Sequence, residues 1–246
     1  MPNPPAQRGL ITQFSIVNAL VAGLFDGIVT SREVDAHGDL GLGCGEHMDG
    51  ELVILDGVHR LFRGDGSVVV LESDDVIAFA EVARFAPHHV AAVEDLGSLE
   101  SVLHAVRSLV PSPNVFVGVR LRARVGTVVL RQPIAQVKPY RRLAEAMREQ
   151  REVRLHGVEG TLLGFIGPRP FQGISVAGLH THFVDTSGAV GGHVLAASGV
   201  TGVLEIEQYG GLTVRLPESD DYLRADLDAP ADADAAIRAV ETDHPS

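Results

Sequence analysis

The sequence predicts an α+β protein: two mixed β-sheet halves with flanking helices. Three observations carry this expectation. Residues 51–63 read ELVIL, then Asp56-Gly57, then VHRLFR, a hairpin signal with a tight Asp-Gly turn between two strand-patterned runs. Residues 153–215 break into short β-branched runs separated by glycines. Helical spacing is confined to a few segments, with no internal repeat and no long low-complexity linker.

Taken in order, residues 1–9 carry Pro2, Pro4 and Pro5 and read as an irregular arm. Residues 11–24 place Ile11, Phe14, Ile16, Leu20, Val21 and Leu24 at helical spacing, so one buried helix is expected. Thr30-Ser31-Arg32-Glu33 offers a second helix start, ended near His37-Gly38. The glycine-rich piece 38–50 reads as too flexible for a regular element, with a backbone packed close to something. After the hairpin, Asp65-Gly66 turns into the strand SVVVLE, and residues 76–85 read as another strand, with a helix as the alternative for VIAFAEVARF. Ser98 caps a helix whose Leu99, Val102, Leu103, Val106 and Leu109 share one face. Residues 115–130 alternate apolar and basic side chains, a half-buried strand bent at Gly126. Residues 140–151 (YRRLAEAMREQR) read as a charged amphipathic helix. Short strands follow at 153–156, 161–166, 174–184, 190–195, 200–208 and 212–215, then a late helix near 232–242. A boundary near Pro139 divides the chain into an N-terminal domain, 1–138, and a C-terminal domain, 139–246.

Composition narrows the function. The chain has 246 residues, 45% hydrophobic and 21% charged, an ordinary globular balance. Its net charge of −12 argues against general binding to nucleic acid or anionic membrane. Cys44 is the only cysteine, so no intramolecular disulfide forms, which suits a reducing cytoplasm. No apolar run reaches the length of a membrane span.

Chemistry concentrates in residues 160–197. On a strand, His180 and His182 point to one face. Ser187-Gly188 signals a turn, so the next strand can return with His193, after Gly191-Gly192, opposite that pair. Three convergent imidazoles with a fourth position open describe a catalytic zinc site. Spacing alone leaves open the plainer alternative of hydrogen-bonded structural histidines.

The run Gly164-Phe165, Pro168, Gly173-Ile174, Gly178, His180-x-His182-Phe183 and Gly191-Gly192-His193-Val194-Leu195 resembles the signature of the acetolactate decarboxylases. The resemblance returns at Gln13-Phe14-Ser15, at residues 37–43 and at Asp49-Gly50-Glu51. It returns again at residues 131–140, RQPIAQVKPY, whose proline comes one place early. It implies zinc-dependent decarboxylation of 2-acetolactate, a 2-hydroxy-3-keto acid, to acetoin through a metal-stabilised enediolate. It implies His180, His182 and His193 as ligands of Zn2+, with the site on the C-terminal sheet. Glu51 is implied beside the metal as ligand or proton relay, and Arg131 as the cation facing the substrate carboxylate. Glu241 is implied as a C-terminal carboxylate returning to the site. A cytoplasmic homodimer is implied as well.

The chain departs from the family at Cys44-Gly45 (usually Thr-Phe), Met48 (Leu), Ala177 (Pro) and Ser187-Gly188 (Asp-Arg or Asp-Lys). Those changes spare the ligands and bear on the pocket. Two other readings compete. One is a non-enzymatic metal-binding domain like the plant-and-prokaryote conserved DNA-associated domain, which lacks counterparts of Glu51 and Arg131. The other is a cupin-like metal oxygenase, which usually adds a Glu a few residues after the His pair, whereas no Glu lies between His182 and His193 here.

Overall fold

The structure is a computed structural model describing residues 9–227 and Ile237. Its strands are β1 (Leu10–Phe14), β2 (Val29–Thr30), β3 (Leu40–Gly45), β4 (Glu51–Leu55), β5 (Val58–Phe62), β6 (Val68–Val70), β7 (Val76–Ala83), β8 (His89–Leu96), β9 (Phe116–Pro133), β10 (Gln150–Gly167), β11 (Gly178–Asp185), β12 (Gly191–Tyr209) and β13 (Gly211–Arg215). The helices are short: α1 (Val17–Val21), α2 (Ser31–Asp35), α3 (Leu99–Leu109), α4 (Leu143–Ala146) and α5 (Asp220–Arg224). Sheet dominates this α+β fold.

The first sheet runs β13-β1-β7-β3-β4-β5-β6, with β2 on β7. It is mixed, since β13 lies parallel to β1 while the other neighbours are antiparallel. The second runs β11-β10-β9-β12-β8 through antiparallel pairs. In it β11 also pairs with β12, so β9 to β12 form a closed circuit. The sheets face one another through Ile11, Leu40, Leu42, Val53 and Phe62 on one side and Phe116, Leu163, Phe165 and Tyr209 on the other. The outer face of the first sheet buries Leu52, Ile54 and Val82 with Val34 of α2, whose start carries a Thr30–Glu33 capping box. Inside the second sheet, Val117, Leu121, Leu204 and Ile206 pack with Val102 and Val106 of α3, capped by Ser98.

Several expected elements change. Residues 11–14 form a strand, and only α1 remains of the expected helix. β1 lies between β7 and β13 with Ile11 in the inter-sheet core and Phe14 in the outer one. A strand covered on both faces loses its alternation and imitates a helix. The glycine-rich piece 38–50 contains the regular strand β3, and its close packing is as expected: a Cβ on Gly43 would sit 2.0 Å from the Phe79 carbonyl oxygen. The charged helix shrinks to α4, because Gln150 already pairs with Pro133 in the sheet. Here strand pairing overrides a good local helix propensity.

The short strands expected after residue 150 merge into β10, β11 and β12. At their middles, Gly157 and Gly199 adopt φ of 60° and 63° beside Gly126. Core-facing residues of β9 are odd-numbered through Val125 and even-numbered from Val128. The bend expected at Gly126 is therefore a reversal of facing within one long strand. It turns Arg131 toward the first sheet.

Sheet membership does not follow the expected boundary after Lys138. β8 and β9 precede it yet belong to the second sheet, and β13 follows it yet closes the first. The paired partners β9 and β10 lie on either side of that boundary. His89 opens β8.

Candidate metal and substrate site

On β11 the alternation of a strand sends Phe183 into the core of the second sheet and His180 and His182 to its other face, toward β4. β12 runs back antiparallel, and its register sets His193 directly opposite His182. On its other side His193 is paired with Arg131 of β9. Arg131, His193 and His182 thus form one row across three strands, although 51 residues separate Arg131 from His182 (182 minus 131). The glycines before His193 permit this closeness. A Cβ on Gly191 would lie 2.5 Å from the Phe183 oxygen, and one on Gly192, at φ 148°, 2.5 Å from the Arg131 oxygen.

The three imidazole centroids stand 5.3, 5.1 and 5.4 Å apart. Each ring offers a ligand atom within 4.8 Å of the others, and all three rings are buried. His182 Nδ1 lies 2.8 Å from the Leu52 carbonyl oxygen. That oxygen can only accept, so Nδ1 carries the hydrogen and Nε2 keeps its lone pair. Burial, followed by the neighbouring His180 and then Arg131, holds the His182 imidazole well below its ordinary range, while the Leu52 carbonyl pulls the other way. A neutral imidazole whose second nitrogen is oriented by a backbone carbonyl is the form a metal ligand takes.

Glu51 comes from the facing sheet. On β4, Leu52 and Ile54 turn to the outer core, so Glu51 and Val53 turn inward. One Glu51 oxygen accepts from Arg131 Nε at 3.0 Å, and the other lies 3.5 Å from His182 Nε2. Both partners of this ion pair are at most 4% exposed. Burying two charges is costly, so such a pair is poor evidence of added stability. It does fix the position of a cation and a carboxylate beside the three rings.

The cleft over this cluster is lined by Glu51, Arg131, His180 and His182 and walled by Val17, Leu20, Met48, Phe79 and Val176, with Gly43 and Cys44 also in the lining. Met48 reaches it through a tight turn in which His47 and Met48 both have positive φ, 60° and 58°. Sequence reasoning brought forward the polar members and, from the apolar wall, only Met48. Four separate segments build that wall, and its residues other than Met48 read as ordinary core. Glu241 lies outside the described residues. The donor set fits a divalent transition metal: three buried imidazoles on adjacent strands, with a carboxylate and a guanidinium next to them. The identity of the ion does not follow from the donors.

Comparison with known proteins agrees with this geometry. The sequence model of the alpha-acetolactate decarboxylase family matches residues 11–229. The alpha-acetolactate decarboxylase of Methylococcus capsulatus is 36% identical over 217 residues, covering 88% of this chain and 84% of that protein. That of Klebsiella aerogenes is 32% identical over 232 residues, covering 94% and 89%. The crystal structure of the Bacillus subtilis strain 168 enzyme superposes with a TM-score of 0.91 at 31% identity, over 94% of this chain and 99% of that one. The protein is a carboxy-lyase. The chain belongs to the alpha-acetolactate decarboxylase family. The readings as a non-enzymatic domain or a cupin-like oxygenase give way to it. No helix among the described residues is long and apolar enough to cross a membrane.

Proposed function

We propose that the buried cleft decarboxylates 2-acetolactate to acetoin, with His180, His182 and His193 holding one zinc ion. The observation that carries this is the single row Arg131–His193–His182, with Glu51 closing it from the opposite sheet. When bound, zinc supplies a Lewis-acid charge where negative charge grows on the substrate oxygens as CO2 departs.

The protein residues have distinct parts. The Arg131 guanidinium is the group suited to the substrate carboxylate, because its planar fork matches two oxygens. Glu51 holds that guanidinium at Nε and limits its rotation. The walls Val17, Leu20, Phe79 and Val176 take the methyl groups of the substrate and keep bulk water away. A dry surround strengthens every charge interaction inside it. Loss of CO2 leaves an electron pair delocalised toward the ketone oxygen, an enediolate, and the carbon that lost CO2 must gain one proton. Arg131 and Glu51, on one side of the cleft, deliver that proton directly or through water to one face. Glu241 joins this proposal through the family resemblance alone, as do the homodimer and the cytoplasmic setting.

The test is to run the reaction in D2O. Acetoin carrying one deuterium at the carbinol carbon, with a single handedness, is expected. Racemic label, or acetoin with no solvent hydrogen at that carbon, contradicts the assignment.

A further inference from the structure

β7 carries a carboxyl group that the proposed chemistry does not use. Glu81 is 1% exposed. It faces the second sheet between Gln13 of β1 and Leu42 of β3, its cross-strand partners. Side chains directly opposite on antiparallel strands have Cβ atoms roughly 5 Å apart, so Gln13 and Glu81 meet.

The Gln13 amide is fixed by two donations from Nε2, to the Ser15 oxygen at 2.8 Å and the Ile174 oxygen at 2.7 Å. Its own Oε1, buried, has no hydrogen-bond partner, and neither has Glu81 Oε1. Glu81 Oε2 accepts from Ser175 Oγ at 3.4 Å. Two buried acceptors on neighbouring side chains are satisfied together only if one carries a proton. Among the described residues no charged side chain is recorded against the carboxyl: β1 presents Gln13, β3 presents Leu42, and the adjoining segment presents Ser175. Burial pushes the Glu81 carboxyl up to about 8, with the Ser175 bond opposing.

The residues around it lead to the cleft. Gly173 and Ile174 accept from the backbone of Asn18 and Val17 in α1 at 2.8 and 3.0 Å. Val176 forms part of the cleft wall. Two residues further on β11 begins, and it carries His180.

We infer that Glu81 is a protonated positioning residue, whose carboxyl donates to Gln13 Oε1 and accepts from Ser175, clasping residues 173–177 onto β1 and β7. Ionisation turns that donor into an acceptor, sets two acceptors against each other and loosens the segment that seats Val176. The effect falls on substrate fit, so KM rises before kcat falls. This inference rests on the cleft being the substrate site, and part of its test does not involve substrate.

The experiment uses the metal-loaded enzyme, with kcat and KM for 2-acetolactate from about pH 6 to about pH 10, in the native chain and in Glu81→Gln. A Gln amide donates as the neutral acid does, at every pH. The native KM is expected to rise several-fold above about pH 8, and the Glu81→Gln KM to stay level. Parallel alkaline limbs in the two proteins, or no native limb, overturn the inference. Infrared spectra of the native protein at neutral and alkaline pH supply a readout independent of activity and of the variant's folding. A protonated-carboxyl band at neutral pH that vanishes on ionisation supports the proposal, and a carboxylate at neutral pH overturns it.

Discussion

Two glutamates on the inner face of the first sheet make the most instructive comparison in this molecule. Glu51 on β4 and Glu81 on β7 flank β3 on either side and are equally buried. Glu51 meets a guanidinium across the sheet interface and lies beside a histidine. Glu81 meets an amide and a hydroxyl and, among the described residues, no cation. Burial alone drives a carboxyl toward its neutral form, and an opposite charge or hydrogen bonds donated to it work against that. The site is therefore set by which strand brings the cation. The reversal at Gly126 in β9 turns Arg131 toward Glu51.

The largest effect should come from the imidazoles. His182→Ala removes the ligand that Leu52 orients, and we expect metal retention and acetoin formation to be abolished, read by metal analysis and product assay. His59, also buried but bound to Ser31 at 2.8 Å, serves as the control; His59→Gln should leave both properties intact.

Next comes the cation. Arg131→Ala should keep the metal bound while kcat/KM falls by about a hundredfold or more, because a charge-assisted pair to the substrate is lost. Arg131→Lys should recover little, since an ammonium lacks the fork. Thermal unfolding should also shift down, as Glu51 is left buried and uncompensated, a loss of about 3–5 kcal/mol.

Exchanging the two carboxyls for amides sharpens the comparison. Glu51→Gln should destabilise the protein and lower activity, because Arg131 loses its counter-charge. Glu81→Gln should do neither at neutral pH. Chemical denaturation of the two variants side by side reads the difference, and equal losses would erase the distinction drawn here.

The smallest effect is a slope. Glu81 has its folded value raised to about 8 from 4.5, so between those values the folded chain holds a proton that the unfolded chain has released. Stability then falls as pH rises through that window, by up to about 1.4 kcal/mol per pH unit from this group. Below about pH 4.5 and above about pH 8 the contribution is flat. Glu81→Gln should remove the slope, as measured by denaturant midpoints at several pH values.

The sequence made some of this legible and hid the rest, for physical reasons. His180, His182 and His193 were readable because strand period and a Ser-Gly turn both act over a few residues. The hairpin at Asp56-Gly57 was readable for the same reason, and so were the Thr30 and Ser98 caps. Arg131 and Glu51 emerged through motif resemblance, since their meeting depends on register across two sheets that no local pattern encodes. β1 was misread because both of its faces are covered. The long strands β10 and β12 were read as fragments, because Gly157 and Gly199 look like ends and act as bends. Glu81 did carry a signal, a lone acid within VIAFAEVARF. An acid on the inward face of such a strand is solvated, paired with a cation or neutral, and at Glu81 the fold selects the last.

The central claim is that the three imidazoles hold the metal on which decarboxylation depends. The direct measurement is zinc content and acetoin formation followed together while a chelator strips the protein and zinc is then returned. The account predicts about one zinc per chain, activity lost in step with the metal, and recovery of both on readdition. Undiminished acetoin formation by metal-free protein would contradict it.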